Sequence, residues 1–200
     1  MIGIIGYGLG NIGSLRNMFR RIGQEAQLVT EPDRLHEVDR LVLPGVGAFD
    51  AGARRLALSG FSDAIQDFAK SGRPIFGICL GMQLLLDASD EGTGAGLGLI
   101  PGKSVRFESR QEMRVPHMGW SQLVESKPSP LLADLPQDHR FYFVHSYKVV
   151  LENQIDELAS SNYGGPFTSM VERENVIGAQ FHPEKSHAFG MALLDKWSRS

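Results

Sequence analysis

The segment at residues 75–86 admits few folds. Ile75 to Ile78 form a short apolar run of strand type, and Leu80 to Leu86 follow with a helical pattern. Cys79 stands between them, with Gly77 and Gly81 two residues to either side. This is the G-x-nucleophile-x-G arrangement of a nucleophile elbow, with cysteine in place of serine. A turn so tight forces its central residue into a strained backbone conformation, and larger side chains two residues away would collide. The turn also sets the thiol beside a helix N-terminus, where partial positive charge favours a thiolate. The N–H of Leu80 then points where an oxyanion would form. Taken alone, the segment also suits a small buried hydrophobe at a strand end, so residues far downstream decide its chemistry.

The chain before the elbow alternates. Ile2 to Ile5, Ala26 to Val29 and Leu41 to Leu43 have strand character, while Ser14 to Ile22, Ala51 to Leu58 and Phe61 to Ala69 have helical character. That order predicts an α/β fold with a mostly parallel central sheet flanked by helices. Ala88 to Gly102 is rich in glycine and acid and reads as a surface loop. Beyond it, Val105 to Phe107, Gln122 to Val124, Phe141 to Val150, Phe167 to Val171 and Val176 to Phe181 are strand-like. Turn signals at 162–166 and 174–175 separate some of them and predict additional antiparallel strands in the C-terminal half. Ala188 to Trp197 reads as a closing helix. No linker or repeat interrupts the 200 residues, so one domain over 1–200 is expected.

Composition narrows the function. One cysteine excludes an internal disulfide and a cysteine metal cluster. A net charge of −3 leaves no nucleic-acid or membrane footprint. The N-terminus lacks a basic leader and no run is long enough to span a bilayer, so a cytoplasmic protein without metal or cofactor is expected.

A second motif competes with the elbow. Gly8-Leu9-Gly10-Asn11-Ile12-Gly13 fits G-x-G-x-x-G between a strand and a helix, and Glu31 lies after the next strand. That is the setting of a dinucleotide fingerprint. The pattern is short, Pro32 suits Glu31 to a plain turn, and little chain remains for a substrate domain. It stands as the rival enzyme class.

The C-terminal region supplies what a cysteine nucleophile needs. Gly178 to Glu184 ends a strand in His182-Pro183-Glu184. Pro183 stops strand pairing and leaves His182 and Glu184 at the sheet's end. A nucleophile needs a base, and the base needs an orienting carboxylate. Cys79, His182 and Glu184 provide the three types, although each could separately be an ordinary buried thiol, surface imidazole or solvated charge. His145 reads as a packed strand histidine and stays outside the triad.

In Gly77 to Gln83 and His182 to Glu184 the chain resembles the class I, triad-type glutamine amidotransferases. Leu43 to Phe49, Val115 to Trp120, Tyr142 to Tyr147 and Gln180 to Ser186 make it more similar to one family of that class. These are the glutaminase subunits of imidazole glycerol phosphate synthases, and the resemblance covers essentially the whole chain. It departs at Gly6, where the family often has an acid, and at Ser121, where it often has Asn.

The resemblance implies a mechanism. Cys79 attacks the side-chain carbonyl of glutamine, His182 acts as acid and base, and Glu184 orients His182. Leu80 and the backbone at Val46 or Gly47 hold the oxyanion, and the glycines there permit a peptide flip between idle and active states. Gln83, Glu91 and the backbone at Ser146 and Tyr147 hold glutamine. Asn11, Met118, Trp120 and Lys185 face a TIM-barrel cyclase subunit, which receives the ammonia within a heterodimer of histidine biosynthesis. A glutaminase subunit of another synthase and a stand-alone cysteine hydrolase are the alternatives.

Overall fold

Strands buried on both faces read as unbroken apolar runs, because neither face meets water. The computed structural model, which describes residues 1–109 and 113–200, shows this in β1 (Ile2–Ile5) and β4 (Ile75–Cys79), buried at every position. Between them come α1 (Ile12–Arg21), β2 (Ala26–Val29), β3 (Arg40–Gly45), α2 (Phe49–Leu58) and α3 (Phe61–Lys70). The strands lie in the order β2-β1-β3-β4 and pair in parallel. One side of the sheet packs Ile5, Leu41, Leu43 and Ile75 with Leu56, Phe61, Ile65 and Phe68. The other packs Ile4, Val42 and Phe76 with Leu15, Phe19, Leu194 and Trp197.

After β4 the chain runs through α4 (Leu80–Leu84), β5 (Ala88–Ser89), β6 (Gly102–Arg106), β7 (His117–Ser121), β8 (Val124–Glu125) and β9 (Phe141–His145). It closes with β10 (Tyr147–Leu151), β11 (Glu157–Asn162), β12 (Pro166–Arg173), β13 (Val176–Ala179) and α5 (His187–Arg199). β13 joins the two halves, pairing in parallel with β4 and antiparallel with β12. Its register sets Ala179 beside Ile78, while Gly45 of β3 lies beside Cys79. The C-terminal ends of β3, β4 and β13 therefore meet.

Several local readings change. Phe141 to Val150 is two strands broken at Ser146: β9 pairs with β7 in a separate small sheet, and β10 pairs with β6 and β12. The run of strand-forming residues on both sides hides that change of sheet, which exposes the backbone at Ser146 and Tyr147 to the space above β4. β7 and β11 carry no strand pattern of their own. Gly119 interrupts one and Ser160, Ser161 and Asn162 make the other polar, so their form comes from their pairing partners. α4 stops at Leu84, and Gln122 and Leu123 lie outside β8. The acidic loop also buries Leu97 and Ile100, so it is not wholly a surface segment.

α5 anchors the sheet through Trp197, fully buried with ring centroids 5.4 Å from Phe76 and 6.4 Å from Phe19. Trp197→Ala is expected to cost about 3–5 kcal/mol in urea-induced unfolding. A loss below about 1 kcal/mol would contradict this packing.

Candidate active site

Cys79 is the point where β4 turns into α4, and its backbone has φ 54° and ψ −109°. Side chains seldom adopt this region, so the elbow carries the strain its sequence implies. The flanking glycines are explained by contact. A Cβ on Gly81 would lie 1.9 Å from the Leu43 carbonyl oxygen, and one on Gly77 would lie 2.9 Å from the Gly81 carbonyl oxygen. The elbow is thus pressed against both β3 and its own first helical turn.

Cys79 borders a cavity of about 540 Å³. Val46, Gly47, Leu80, Gln83, Glu91, Ser146 and Tyr147 line it, together with His182 and Lys185. A hollow of about 580 Å³ between α1 and β2 lies far from this chemistry and is lined by Arg16, Arg20 and Gln27 among others.

His182 reaches the cavity from the segment after β13. Its Nδ1 is 2.8 Å from Glu184 Oε1, with both side chains 2% exposed. A single 3₁₀ turn, Pro183–Lys185, folds the carboxylate back beneath the ring. The His182 N–H donates to the Tyr142 carbonyl at 2.9 Å, and Ser186 Oγ donates to the His182 carbonyl at 2.6 Å. Nε2 is buried without a hydrogen-bond partner among the described residues. Burial opposes charge on the ring. Cys79 and then Glu184, through hydrogen bonding and through charge, outweigh that penalty and raise the His182 pKa to about 9. Nε2 lies near enough to the sulfur for Cys79 to act on the ring, although no hydrogen bond between them is closed in this geometry.

The loop after β3 is held at both ends. Tyr7 Oη donates to the Pro44 carbonyl at 2.8 Å, and burial pushes the Tyr7 pKa well up, which keeps the donor proton. At the other end Glu91 Oε2 accepts the Phe49 N–H at 2.8 Å. Asp50 returns the contact by accepting the Thr93 and Gly94 N–H groups at 3.2 and 2.9 Å. Glu91 is therefore fixed at the cavity wall. Gly47 between the clamps has φ 103° and open space around it, a conformation suited to glycine.

The N-terminal glycines have a packing explanation. A Cβ on Gly8 would strike the Arg55 guanidinium, which donates to the Gly8 carbonyl, and one on Gly10 would lie 2.7 Å from Pro44 Cβ. The loop fills the space beside β3, which weighs against the dinucleotide reading.

Of the four residues expected to face a partner, Met118 and Trp120 are exposed apolar side chains. Trp120 stacks on His187, and Tyr142 lies edge-on to it. Lys185 Nζ is 5.7 Å from the Tyr142 ring centre, which joins it to this group. Asn11 precedes α1, which packs beside the Pro183–Lys185 turn.

Sequence reasoning gives no role to Gln180, His117 or Tyr7. Gln180 is fully buried; its Nε2 donates to Cys79 Sγ at 3.8 Å and its Oε1 accepts from Gln83 Nε2 at 3.0 Å. Its one signal is its place two residues before His182. Burial lowers the pKa of His145 to about 3 and of His117 to about 4, so both rings are neutral at neutral pH. His145 touches the cavity but has no carboxylate partner among the described residues.

Residues 4–197 match the family model described as glutamine amidotransferase class-I. The chain is 48% identical to imidazole glycerol phosphate synthase subunit HisH 2 of Pseudomonas aeruginosa, over 97% of this chain and 96% of that protein. It is 46% identical to imidazole glycerol phosphate synthase subunit HisH of Wolinella succinogenes, over 97% of each. A crystal structure of a glutamine amidotransferase matches at TM-score 0.71 with 19% identity over 98% of both chains, a likeness of fold.

The state of His182 yields a pH test. Its pKa is raised above the unfolded value, so the protonated ring contributes stability that is fully present below about pH 6.5 and lost as pH rises through about 9. NMR titration of the imidazole should find that high midpoint. In Cys79→Ala, where the charge is gone and burial remains, the midpoint should fall. An unchanged midpoint in the variant would remove Cys79 from the explanation.

Proposed function

Because the chain belongs to the class-I glutamine amidotransferases, we infer that it is the glutaminase subunit of an imidazole glycerol phosphate synthase. It hydrolyses glutamine to glutamate and ammonia and passes the ammonia to a cyclase subunit in histidine biosynthesis. The observation that carries the chemistry is the convergence of Cys79 and the buried His182–Glu184 pair on one cavity. The full-length relatives support the choice of synthase.

Glutamine lies in the cavity with its side-chain amide at Cys79. Glu91 takes the α-ammonium, Gln83 and the backbone at Ser146 and Tyr147 hold the rest. His182 holds the thiol proton as an imidazolium balanced by Glu184. The thiolate attacks the side-chain carbonyl carbon, a carbon–sulfur bond forms, and the oxyanion takes the Leu80 N–H and an N–H at Val46 or Gly47. His182 gives its proton to the departing nitrogen, the carbon–nitrogen bond breaks, and ammonia leaves a glutamyl thioester. Water then loses a proton to His182 and attacks, the carbon–sulfur bond breaks, and glutamate departs.

Free ammonia in water at neutral pH becomes mostly ammonium and stops being a nucleophile. A closed route to a second site keeps it reactive. The cyclase subunit seats on Asn11, Met118, Trp120 and Lys185 as a heterodimer, covering the exposed apolar side chains beside the cavity. The whole chain, 1–200, acts as one amidotransferase domain, since β13 pairs with strands of both halves. No helix among the described residues is long and apolar enough to cross a membrane. The cytoplasm suits a reaction that needs its thiol reduced.

Cys79→Ala in the assembled synthase is expected to abolish glutamine-dependent product formation while ammonia-dependent formation persists. Glutamine hydrolysis at the normal rate in that variant would remove Cys79 as nucleophile. Glu184→Ala should lower the rate of glutamate release less than His182→Ala, because orienting a base contributes less than being one. The reverse order would give Glu184 a more direct part.

A further inference from the structure

A backbone carbonyl accepts hydrogen bonds and never donates. The Tyr147 carbonyl takes two, from His145 Nδ1 at 2.7 Å and from Gln83 Nε2 at 3.4 Å. Each bond fixes the polarity of a buried chain behind it. On one side, neutral His145 must carry its proton on Nδ1, so its Nε2 accepts from His117 Nδ1 at 3.1 Å. His117 Nε2 is then an acceptor and takes the Ser121 hydroxyl at 3.3 Å. On the other side, Gln83 must turn its NH₂ to the carbonyl. The same NH₂ donates to Gln180 Oε1, which leaves the Gln180 NH₂ facing the Cys79 sulfur at 3.8 Å. Rotating the Gln180 amide would set two NH₂ groups face to face and aim a carbonyl at the nucleophile, with the group buried away from water.

We propose that the Tyr147 carbonyl, acting through Gln83, obliges Gln180 to present an N–H to the Cys79 sulfur, and that Gln180 is a further catalytic residue of the site. This rests on the glutaminase reading for its purpose but not for its geometry. The N–H bond strengthens as negative charge gathers on sulfur, so it favours the form of Cys79 that attacks. His117 and His145 are positioning residues that steady the carbonyl. The titratable groups around the sulfur are His182 with Glu184, Tyr7 from the loop after β1, and His145, Glu91 and Lys185 on the cavity wall.

The chain has one cysteine, so alkylation by iodoacetamide reads Cys79 alone. Gln180→Glu keeps an acceptor for Gln83 and replaces the donor to sulfur with a charged acceptor. Alkylation of the full chain at neutral pH is expected to slow about tenfold, and to converge with the wild type at high pH, where the thiol ionises unaided. Gln180→Met should slow it about threefold. Rates equal to the wild type across the pH range in both variants would overturn the proposal. Should buried substitutions at 180 prevent folding, Gln83→Met frees the Gln180 amide to rotate and is expected to slow alkylation about threefold. In the wild type, the Gln180 side-chain N–H signals should shift over the pH span in which alkylation accelerates; signals that stay fixed there would overturn it. Alkylation needs neither glutamine nor a partner. A chain that alkylates as expected but releases no glutamate even with the cyclase subunit and its nucleotide ligand would refute the glutaminase reading and leave this one standing.

Discussion

The site depends on one close approach. Gly81 lies so near the Leu43 carbonyl oxygen that a methyl group would stand 1.9 Å from it. Only without a side chain can the first turn of α4 rest on β3. That contact holds Cys79 beside Gly45, and the parallel register of β13 brings the His182 segment alongside. Ligands of open parallel sheets gather at the C-terminal ends of strands. Here the ends of β3, β4 and β13 provide the oxyanion loop, the nucleophile and the base in turn.

Charge at this place is decided by partners rather than by residue type. His117, His145 and His182 are all buried, and burial disfavours the charged ring in each. His182 alone of the three has a carboxylate at 2.8 Å and a thiol nearby, and its pKa rises to about 9. His145 donates to a carbonyl and His117 to another imidazole, neutral partners that leave burial in command. An isolated buried charge would be expensive, so Glu184 and Cys79 are the condition for a charged His182.

Much of this was legible in the chain. β1, β3 and β4 announce themselves as apolar runs because both faces are covered, and the elbow does so because its sterics tolerate few residues. Pro183 marks the place where His182 and Glu184 leave the sheet. The break at Ser146 was not legible, since strand formers lie on both sides and the change of sheet is a tertiary event. β11 was hidden because its polar residues become a strand only by pairing with β12 and β8. The part of Gln180 was not legible beyond its place two residues before His182, because it depends on Gln83 and Tyr147, which sequence separates widely and the fold brings together.

The most direct measurement is glutamate release from glutamine by the chain alone, then with the cyclase subunit and its nucleotide ligand. Weak release alone and strong stimulation in the complex are expected if Cys79, His182 and Glu184 serve a partner-coupled glutaminase. Full activity without the partner would contradict the coupling, and no release in either condition would contradict the glutaminase itself.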